Sequence, residues 1–363
     1  MPQPPTSPVR LIGYGACGAI FARDDATNVF KLAKTRNYQL WNDYVQHTCV
    51  WEAIHAFGLY HETAVPRPGA FVAAEDVEGG EGEGRARQWW SRHGDLAAAV
   101  AAGNNVNMPT AVLSSEKIIP LPLPLRNALI QRFCHPDNQA AARASPGNAD
   151  CLVRIYLGSY SRRTRDGSGG GSGAWTNRFF SLRNFKLYLD QLRELRVDTH
   201  RLARYMAGAL AAMHWGARVD ARDVEFVVGS PPSSPPSPPR SSWIPLSSAL
   251  LKTMAPNTST FDLVYPRQPD TPLRFWLLDF NQCGDMSFDE AGVRRAVDAF
   301  WMNDPYYPRP PRRDGVDDFE GALWDTFVAR FLEISEMILA GEEPGVRNLP
   351  AMFVDALVER ARR

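Results

Sequence analysis

The feature that most constrains the fold is a glycine-rich run that is followed by strand patterns and not by a helix. Gly13, Gly15 and Gly18 form a G-x-G-x-x-G run. A dinucleotide-binding fold would need a helix directly after such a run. Here residues 20–21 and 29–32 are rich in Ile, Val and Phe at near period 2, which is typical of strands. The run therefore predicts a β-hairpin whose backbone N–H groups can approach phosphates.

Beyond the hairpin, strand patterns give way to helical ones along the chain. Strands are predicted at residues 111–118, 151–157, 224–228 and 275–278, and helices at 39–57, 181–195, 199–215, 289–302, 321–340 and 349–362. The pattern predicts an α+β fold with two lobes. Residues 1–118 would form a small β-rich N-terminal lobe with one helix, and residues 119–363 a larger and mainly helical C-terminal lobe.

Three stretches have compositions that cannot form a core. Residues 75–84 are acidic and glycine-rich, residues 161–178 contain a Gly/Ser linker, and residues 230–245 include a proline-rich run. Patterned segments flank each stretch, which predicts flexible insertions in loops. The proline-rich run at 230–240 is either loop filler or a ligand for a protein partner that reads polyproline.

Composition excludes several classes of protein. Basic and acidic residues number 40 each, which argues against a general nucleic-acid binder. There is neither an apolar run of membrane-spanning length nor a secretory pattern, so an intracellular protein, cytoplasmic or nuclear, is predicted. The five cysteines are scattered, which predicts free thiols in a reducing compartment and no structural zinc.

A lysine and an acid lie where they could meet. Strand alternation places Lys31 on the face opposite Phe30, and Asp43 lies on the inward face of the helix predicted at 39–57. Such a lysine can pair with nucleotide phosphates and with a helix carboxylate. Glu52, on another helical face, and Lys34 are weaker alternatives. The competing interpretation is a solvated lysine and an aspartate that starts a helix.

Three further acids follow strand and helix patterns. Residues 199–215 lead into a turn at Gly216, then to Asp220 and, five residues later, to Glu225 in a strand. Asp279 ends the apolar strand at 275–278, although strands also end in Asp as ordinary turn chemistry. A loop aspartate can orient a hydroxyl nucleophile, and carboxylate oxygens are the ligands that magnesium prefers.

The order of these features resembles the protein-kinase-like superfamily from Gly13 to Asn281. Asp279 stands only 19 residues before Asp298 on the next predicted helix, which leaves little room for a peptide-docking segment. This spacing is more similar to small-molecule kinases such as aminoglycoside and choline phosphotransferases. The resemblance implies ATP bound by Gly13, Gly15, Gly18, Lys31 and Asp43, a hinge near Glu116, catalysis by Asp220, and magnesium held by Asp279 and Glu225.

The chain departs from the family pattern at three places. The H-R-D triplet reads R-V-D at residues 218–220, the metal-binding asparagine position holds Glu225, and D-F-G reads D-F-N at 279–281. Two functions therefore stay open: an ATP- and magnesium-dependent phosphotransferase acting on a small molecule or unusual hydroxyl, and an inactive pseudokinase that serves as a binding or scaffold module. A zinc-dependent nucleic-acid binder ranks below both.

Longer stretches resemble a fungal family of unknown function whose members often carry the name zinc finger protein. They are LRNF at 182–185, MHWGARVDARDVEFVVG at 213–229, LLDFNQC at 277–283 and AFWMNDPYYPRP at 299–310. The polar, proline-rich residues 303–310 exclude a helix. They form either a functional loop that folds back on the site or a structural loop held by its two tyrosines.

Overall fold

A computed structural model describes residues 7–15, 18–34, 39–74, 84–103, 106–161, 180–231, 273–311 and 318–363. The predicted α+β architecture is confirmed, with a small β-rich N-terminal lobe and a larger, mainly helical C-terminal lobe. The lobe boundary after residue 118 stays a prediction. The three predicted insertions lie almost entirely outside the described residues.

The N-terminal lobe is built on a five-stranded antiparallel sheet with the order β1-β2-β3-β5-β4. The predicted hairpin is present, and Gly15 N donates to Gly18 O across the turn at 3.0 Å. Strands, not a helix, follow the glycine run. The strands are β1 Arg10–Tyr14, β2 Gly18–Ala22, β3 Asn28–Ala33, β4 Pro68–Val72 and β5 Val112–Glu116.

Helices cover both faces of this sheet. Helix α1, Gln39–Ala56, lies between β3 and β4 in sequence and buries one face against the sheet and the C-terminal lobe. On the other face, Phe30 of β3 packs edge-on against Trp89 with ring centroids 5.7 Å apart. Trp89 belongs to helix α2, Arg85–Arg92, which is followed by α3, Gly94–Gly103. Neither α2 nor α3 is predicted from the sequence.

A second sheet of four strands lies in the C-terminal lobe. Its order is β7-β6-β8-β9, with β6 and β7 parallel and the other pairs antiparallel. Its strands are β6 Val153–Tyr156, β7 Phe185–Tyr188, β8 Glu225–Gly229 and β9 Arg274–Leu278. The helices of this lobe are α4 Leu123–Phe133, α5 Gln139–Ala144, α6 Leu189–Glu194, α7 Thr199–Ala211, α8 Glu290–Met302, α9 Asp318–Ile338, α10 Pro344–Arg347 and α11 Leu349–Ala361.

The core of the C-terminal lobe forms where α7 packs along α9. A wide helical turn, Ala212–Gly216, extends α7 and carries His214 into this core. The His214 ring meets Phe353 edge-on at 4.9 Å and Phe331 at 6.0 Å. All three side chains are completely buried, and burying a large apolar side chain contributes about 1.5–3 kcal/mol. The loop that follows α7 therefore begins from a rigid base.

The helix predicted at 181–195 is wrong in its first half. Residues 185–188 form β7, which pairs in parallel with β6, and only Leu189–Glu194 is helical. The apolar residues of this stretch suit either period. A strand partner more than thirty residues away in sequence decides between them, as tertiary context often does for short segments.

An ion pair ties the first strand to the C-terminal lobe. Arg10 Nη1 and Nη2 donate to Asp150 Oδ2 and Oδ1 at 2.6 and 2.7 Å, and the Asp150 side chain is only 6% exposed. Arg10 also pairs with Asp24 in the turn after β2. A paired fork of this kind fixes geometry better than a single contact.

Two further observations concern the helices and the cysteines of the described residues. No helix within the described ranges combines the length and apolar character needed to cross a bilayer. Four cysteines lie in those ranges, and all four are free thiols, namely Cys49, Cys134, Cys151 and Cys283. The predicted compartment stays a prediction.

Candidate functional site

A cleft of about 370 Å³ lies between the two sheets, which is within the usual range for small-molecule sites. The glycine hairpin forms its upper wall, and the second sheet forms its lower wall. Apolar side chains face the cleft from both walls, which suits a planar ring. They are Ile12, Ile20 and Val29 above, and Leu152, Val227 and Leu278 below.

Lys31 lies at the inner end of this cleft between two carboxylates. Its Nζ donates to Asp43 Oδ2 at 2.6 Å and to Asp279 Oδ1 at 2.7 Å. Burial lowers the pKa of Lys31, but the attraction of Asp43 and Asp279 outweighs it, so the net pKa is raised. A Cβ on Gly18 would lie 3.1 Å from Lys31 Cγ, so the glycine lets the hairpin lie directly on the lysine. The predicted meeting of Lys31 with Asp43 is present, and Asp279 joins the pair.

Helix α1 holds the loop that begins at Asp279. Asp43 Oδ1 accepts the backbone N–H of Phe280 at 3.2 Å, and Asn42 Nδ2 donates to Asn281 O at 3.1 Å. Asp279 has a φ of 67°, which non-glycine residues adopt at a cost. Strained backbone of this kind persists only where its surroundings fix it, and it concentrates at functional sites.

Asp220, the predicted catalytic residue, is not among the residues that line the cleft. It is 5% exposed, and its Oδ1 accepts the backbone N–H groups of Gly284 at 2.9 Å and Arg222 at 3.1 Å. Burial raises its pKa, and these two bonds oppose that rise. Asp220 N also donates to Gly284 O at 2.9 Å. The side chain therefore joins the loop after α7 to the loop after β9.

Asp223 occupies the cleft in its place, and sequence reasoning missed it. It is exposed and lines the cleft, and its Oδ2 accepts Gln282 Nε2 at 2.5 Å. Burial raises its pKa, and Asp279 and Asp304 add to the rise. Ala221 and Asp223 both have a positive φ, of 57° and 59°. These reversals turn the side chain of Asp223 inward, which residue spacing does not reveal; the only available signal is a second acid just before the strand.

Asn303 fixes this loop from the segment 303–310. Its Oδ1 accepts Asp223 N at 2.6 Å, and its Nδ2 donates to Ala221 O at 2.9 Å. Tyr306 and Tyr307 are buried in the adjacent core. The segment 303–310 thus fits both predicted roles. It is a structural loop because its two tyrosines are buried, and it folds back on the site because its asparagine bonds to the loop that carries Asp223.

Glu225 lines the cleft and pairs with Arg154 of β6. Burial raises the pKa of Glu225 to about 7; Arg154 opposes the rise, and Asp279 and Asp223 add to it. Within the described ranges, no group of three or more His, Cys, Asp or Glu side chains could hold a metal ion by itself. Magnesium in nucleotide sites commonly uses one or two carboxylates plus phosphates, so the oxygen donors here fit that mode.

The remaining predicted residues are at the cleft walls. Gly13, Gly15 and Gly18 line it from the hairpin, and Glu116 lines it at the end of β5. Glu116 Oε2 accepts the backbone N–H of Arg67 at 2.9 Å. This bond fixes the carboxylate at the edge of the cleft.

The two alternatives weighed from sequence lie elsewhere. Lys34 donates to Gly15 O and lies 3.1 Å from the centroid of the Tyr14 ring, outside the cleft lining. Glu52 is exposed on α1 and does not line the cleft. The geometry therefore favours Lys31 and Asp43 over both.

Comparison with protein families matches residues 275–343 to a family, DUF3669, described as zinc finger protein. The match begins in β9, includes Asp279 and Asn303, and ends after α9. No curated protein and no solved structure matches the chain. The matched segment contains one cysteine, Cys283, and no histidine, whereas a structural zinc site needs four ligands, usually Cys or His. The absence of structural zinc stays a prediction.

Proposed function

We propose that this protein is a protein-kinase-like phosphotransferase that binds ATP and magnesium in the cleft and acts on a small-molecule hydroxyl. The observation that carries the proposal is the ammonium of Lys31 between Asp43 and Asp279 beneath a glycine hairpin. A strand lysine paired with a helix carboxylate is how kinases position nucleotide phosphates. The helix after β3 and the strand order of the first sheet support the same conclusion.

The cleft divides into an apolar part and a charged part. The apolar walls would hold the nucleotide base, with Glu116 at the edge where the predicted hinge lies. The backbone N–H groups of the glycine hairpin and the ammonium of Lys31 would hold the phosphates. Asp279, fixed by α1, would hold magnesium, and magnesium-bound ATP supplies the phosphoryl group.

Asp223 is the residue to which we assign the acceptor hydroxyl. Its carboxylate reaches the cleft, whereas that of Asp220 is committed to backbone N–H groups. The raised pKa of Asp223 lies closer to neutral pH, which makes its carboxylate a better proton acceptor. In this proposal Asp223 orients the hydroxyl and takes its proton, and Asp220 positions the loop.

A second candidate is a pseudokinase that binds nucleotide without transferring phosphate. It rests on the ion pair between Arg154 and Glu225, since Glu225 stands where the resemblance places a metal ligand. The guanidinium already neutralises that carboxylate, so Glu225 is not free to hold a metal ion. Such a site would bind nucleotide without requiring magnesium. The proposed protein partner at residues 230–240 would fit this role, but that run lies almost wholly outside the described residues.

The test is a thermal-melt titration with ATP, with and without magnesium. A ligand at 100 times its Kd stabilises the native state by about 2.7 kcal/mol, enough to shift the melting temperature visibly. We expect a magnesium-dependent shift that Asp279→Ala abolishes and the exposed control Asp298→Ala retains. A shift that does not need magnesium would support the second candidate, and no shift at millimolar ATP would contradict both.

A further inference from the structure

A second cavity, of about 310 Å³, lies beside the cleft, and among the described lining residues the two share only Glu116. It is formed by the second half of α1, the turn that precedes β4, and the beginning of β9. The proposed phosphotransferase does not use it. Its size is at the lower end of the range for small-molecule sites.

Aromatic rings form one wall of this cavity. The Trp51 and His55 ring centroids are 4.1 Å apart, and the His55 and Tyr60 rings are parallel within 5° at 5.2 Å. Trp276 of β9, which is 1% exposed, lines the cavity together with the buried Ala64. His55 lies between Trp51 and Tyr60, so these rings cover one another's faces and a planar ring can pack against their edges.

Two guanidinium groups give the cavity a positive charge. Arg274 Nη2 donates to Tyr60 O at 2.8 Å, and its guanidinium lies 5.2 Å from the Trp276 ring centroid. Neither Arg274 nor the exposed Arg67 forms an ion pair with a carboxylate in the described part of the chain. Glu116 is the one acid among the described lining residues, so the two arginines give the lining a net positive charge.

We propose that this cavity binds a small planar aromatic carboxylate. The ring would pack edge-to-face against the wall formed by Trp51, His55 and Tyr60, and the carboxylate would pair with Arg67 and Arg274. Guanidinium groups match carboxylates through two parallel hydrogen bonds, and Arg274 is already held by the carbonyl of Tyr60. The proposal stands whether or not the cleft transfers phosphate.

The test measures the binding of 1-naphthoate to the protein by calorimetry and by quenching of tryptophan fluorescence. We expect saturable binding of one molecule per chain. Arg67→Gln and Arg274→Gln should each weaken the affinity for 1-naphthoate about tenfold, because each removes a charged partner of the carboxylate. Arg67→Gln changes an exposed side chain, so it keeps the test valid if Arg274→Gln unfolds. The matched control is Arg294→Gln, on the exposed face of α8.

Two further comparisons locate the site and define the ligand class. Lys31→Met should leave naphthoate binding unchanged, because Lys31 belongs to the cleft. The neutral 1-naphthalenemethanol and the non-aromatic cyclohexanecarboxylate should both bind at least tenfold more weakly. The proposal is overturned by an absence of saturable binding at millimolar probe, by an affinity that Arg67→Gln leaves unchanged, by loss of binding in a Lys31→Met protein that circular dichroism shows to be folded, or by equal binding of either control compound.

Discussion

Asn303 Oδ1 accepts the backbone N–H of Asp223 at 2.6 Å, so a residue that follows α8 sets the backbone of the loop that follows α7. The same amide donates to Ala221 O. Both loop residues have left-handed backbone conformations, which an isolated chain would seldom adopt. The orientation of the cleft carboxylate thus depends on one buried amide group.

Asn303→Ala should therefore destabilise the protein and impair the loop together. The substitution leaves the part-buried N–H of Asp223 and the buried C=O of Ala221 without their partner, at a cost of about 1–3 kcal/mol for each group that is shielded from water. Urea denaturation measures the loss of unfolding free energy. Asn348→Ala, at an exposed asparagine that makes no capping bond, should change it by about 0.5 kcal/mol or less. Equal stability of the two variants would contradict the role of Asn303.

Lys31→Met should abolish the ATP-dependent melting shift, whereas Lys34→Met should keep it. The reason is position, because Lys31 lies between Asp43 and Asp279 and Lys34 lies over the Tyr14 ring. Lys31→Met also leaves two buried or half-buried carboxylates without a cation, so a lower melting temperature without ligand is expected. The reverse result, with Lys34 required and Lys31 dispensable, would contradict the assignment.

The two aspartates of the loop should separate stability from activity. Asp220→Ala removes the acceptor of two backbone N–H groups and should cost about 2–4 kcal/mol in unfolding free energy. Asp223→Ala removes an exposed carboxylate with a raised pKa and should cost less than about 1 kcal/mol.

In a nucleotide assay Asp223→Ala, the variant with the smaller loss of stability, should show the larger loss of activity. It should retain ATP binding while losing phosphate transfer to an acceptor, with a fall in kcat and not in nucleotide affinity. Transfer that persists in Asp223→Ala would exclude Asp223 as the base. Circular dichroism at the assay temperature confirms that the variants compared are folded.

Acid should destabilise the protein through His214. Burial lowers its pKa from the ordinary 6.5 to about 3. Below pH 6.5 this histidine is therefore protonated in the unfolded chain and stays neutral in the folded protein. The stability contribution is complete above pH 6.5 and is lost as the pH falls towards 3, by about 1.4 kcal/mol per pH unit. Between pH 7.5 and 5.0 the loss should be about 2 kcal/mol.

Urea denaturation at the two pH values measures this loss, and His214→Leu should reduce it. The absolute stability of the variant is not the readout, since any core substitution changes it. Substitution of the exposed His61 by Gln serves as the control and should leave the difference unchanged. A wild-type difference that survives in His214→Leu would assign the acid sensitivity to other groups.

The sequence predicts the part of the site that depends on regular structure. Alternation along β3 and the helical face of α1 place Lys31 and Asp43 correctly, because both periods are fixed by backbone geometry. The end of an apolar strand locates Asp279 for the same reason. The glycine run is correctly interpreted as a hairpin, because the residues after it alternate.

The rest of the site depends on irregular backbone and on distant contacts. Counting from a family motif selects Asp220, but the left-handed residues around it turn Asp223 into the cleft instead. No periodic pattern encodes such reversals. The bond from Asn303 joins positions about eighty residues apart, and the strand at 185–188 is set by pairing with β6. Neither the bond from Asn303 nor the pairing of this strand can be inferred from local sequence, because each joins residues that come together only when the chain folds.

The pair between Arg10 and Asp150 has a consequence for how a ligand enters and leaves the cleft. It fastens the first strand to the opposite lobe at the rim, so the lobes cannot separate there unless a buried carboxylate loses its partner. Easier opening is left to the end near the glycine turn. Exchange of a bound molecule would then follow a one-sided hinge motion about this ion pair, which stays intact while the opposite end of the cleft opens.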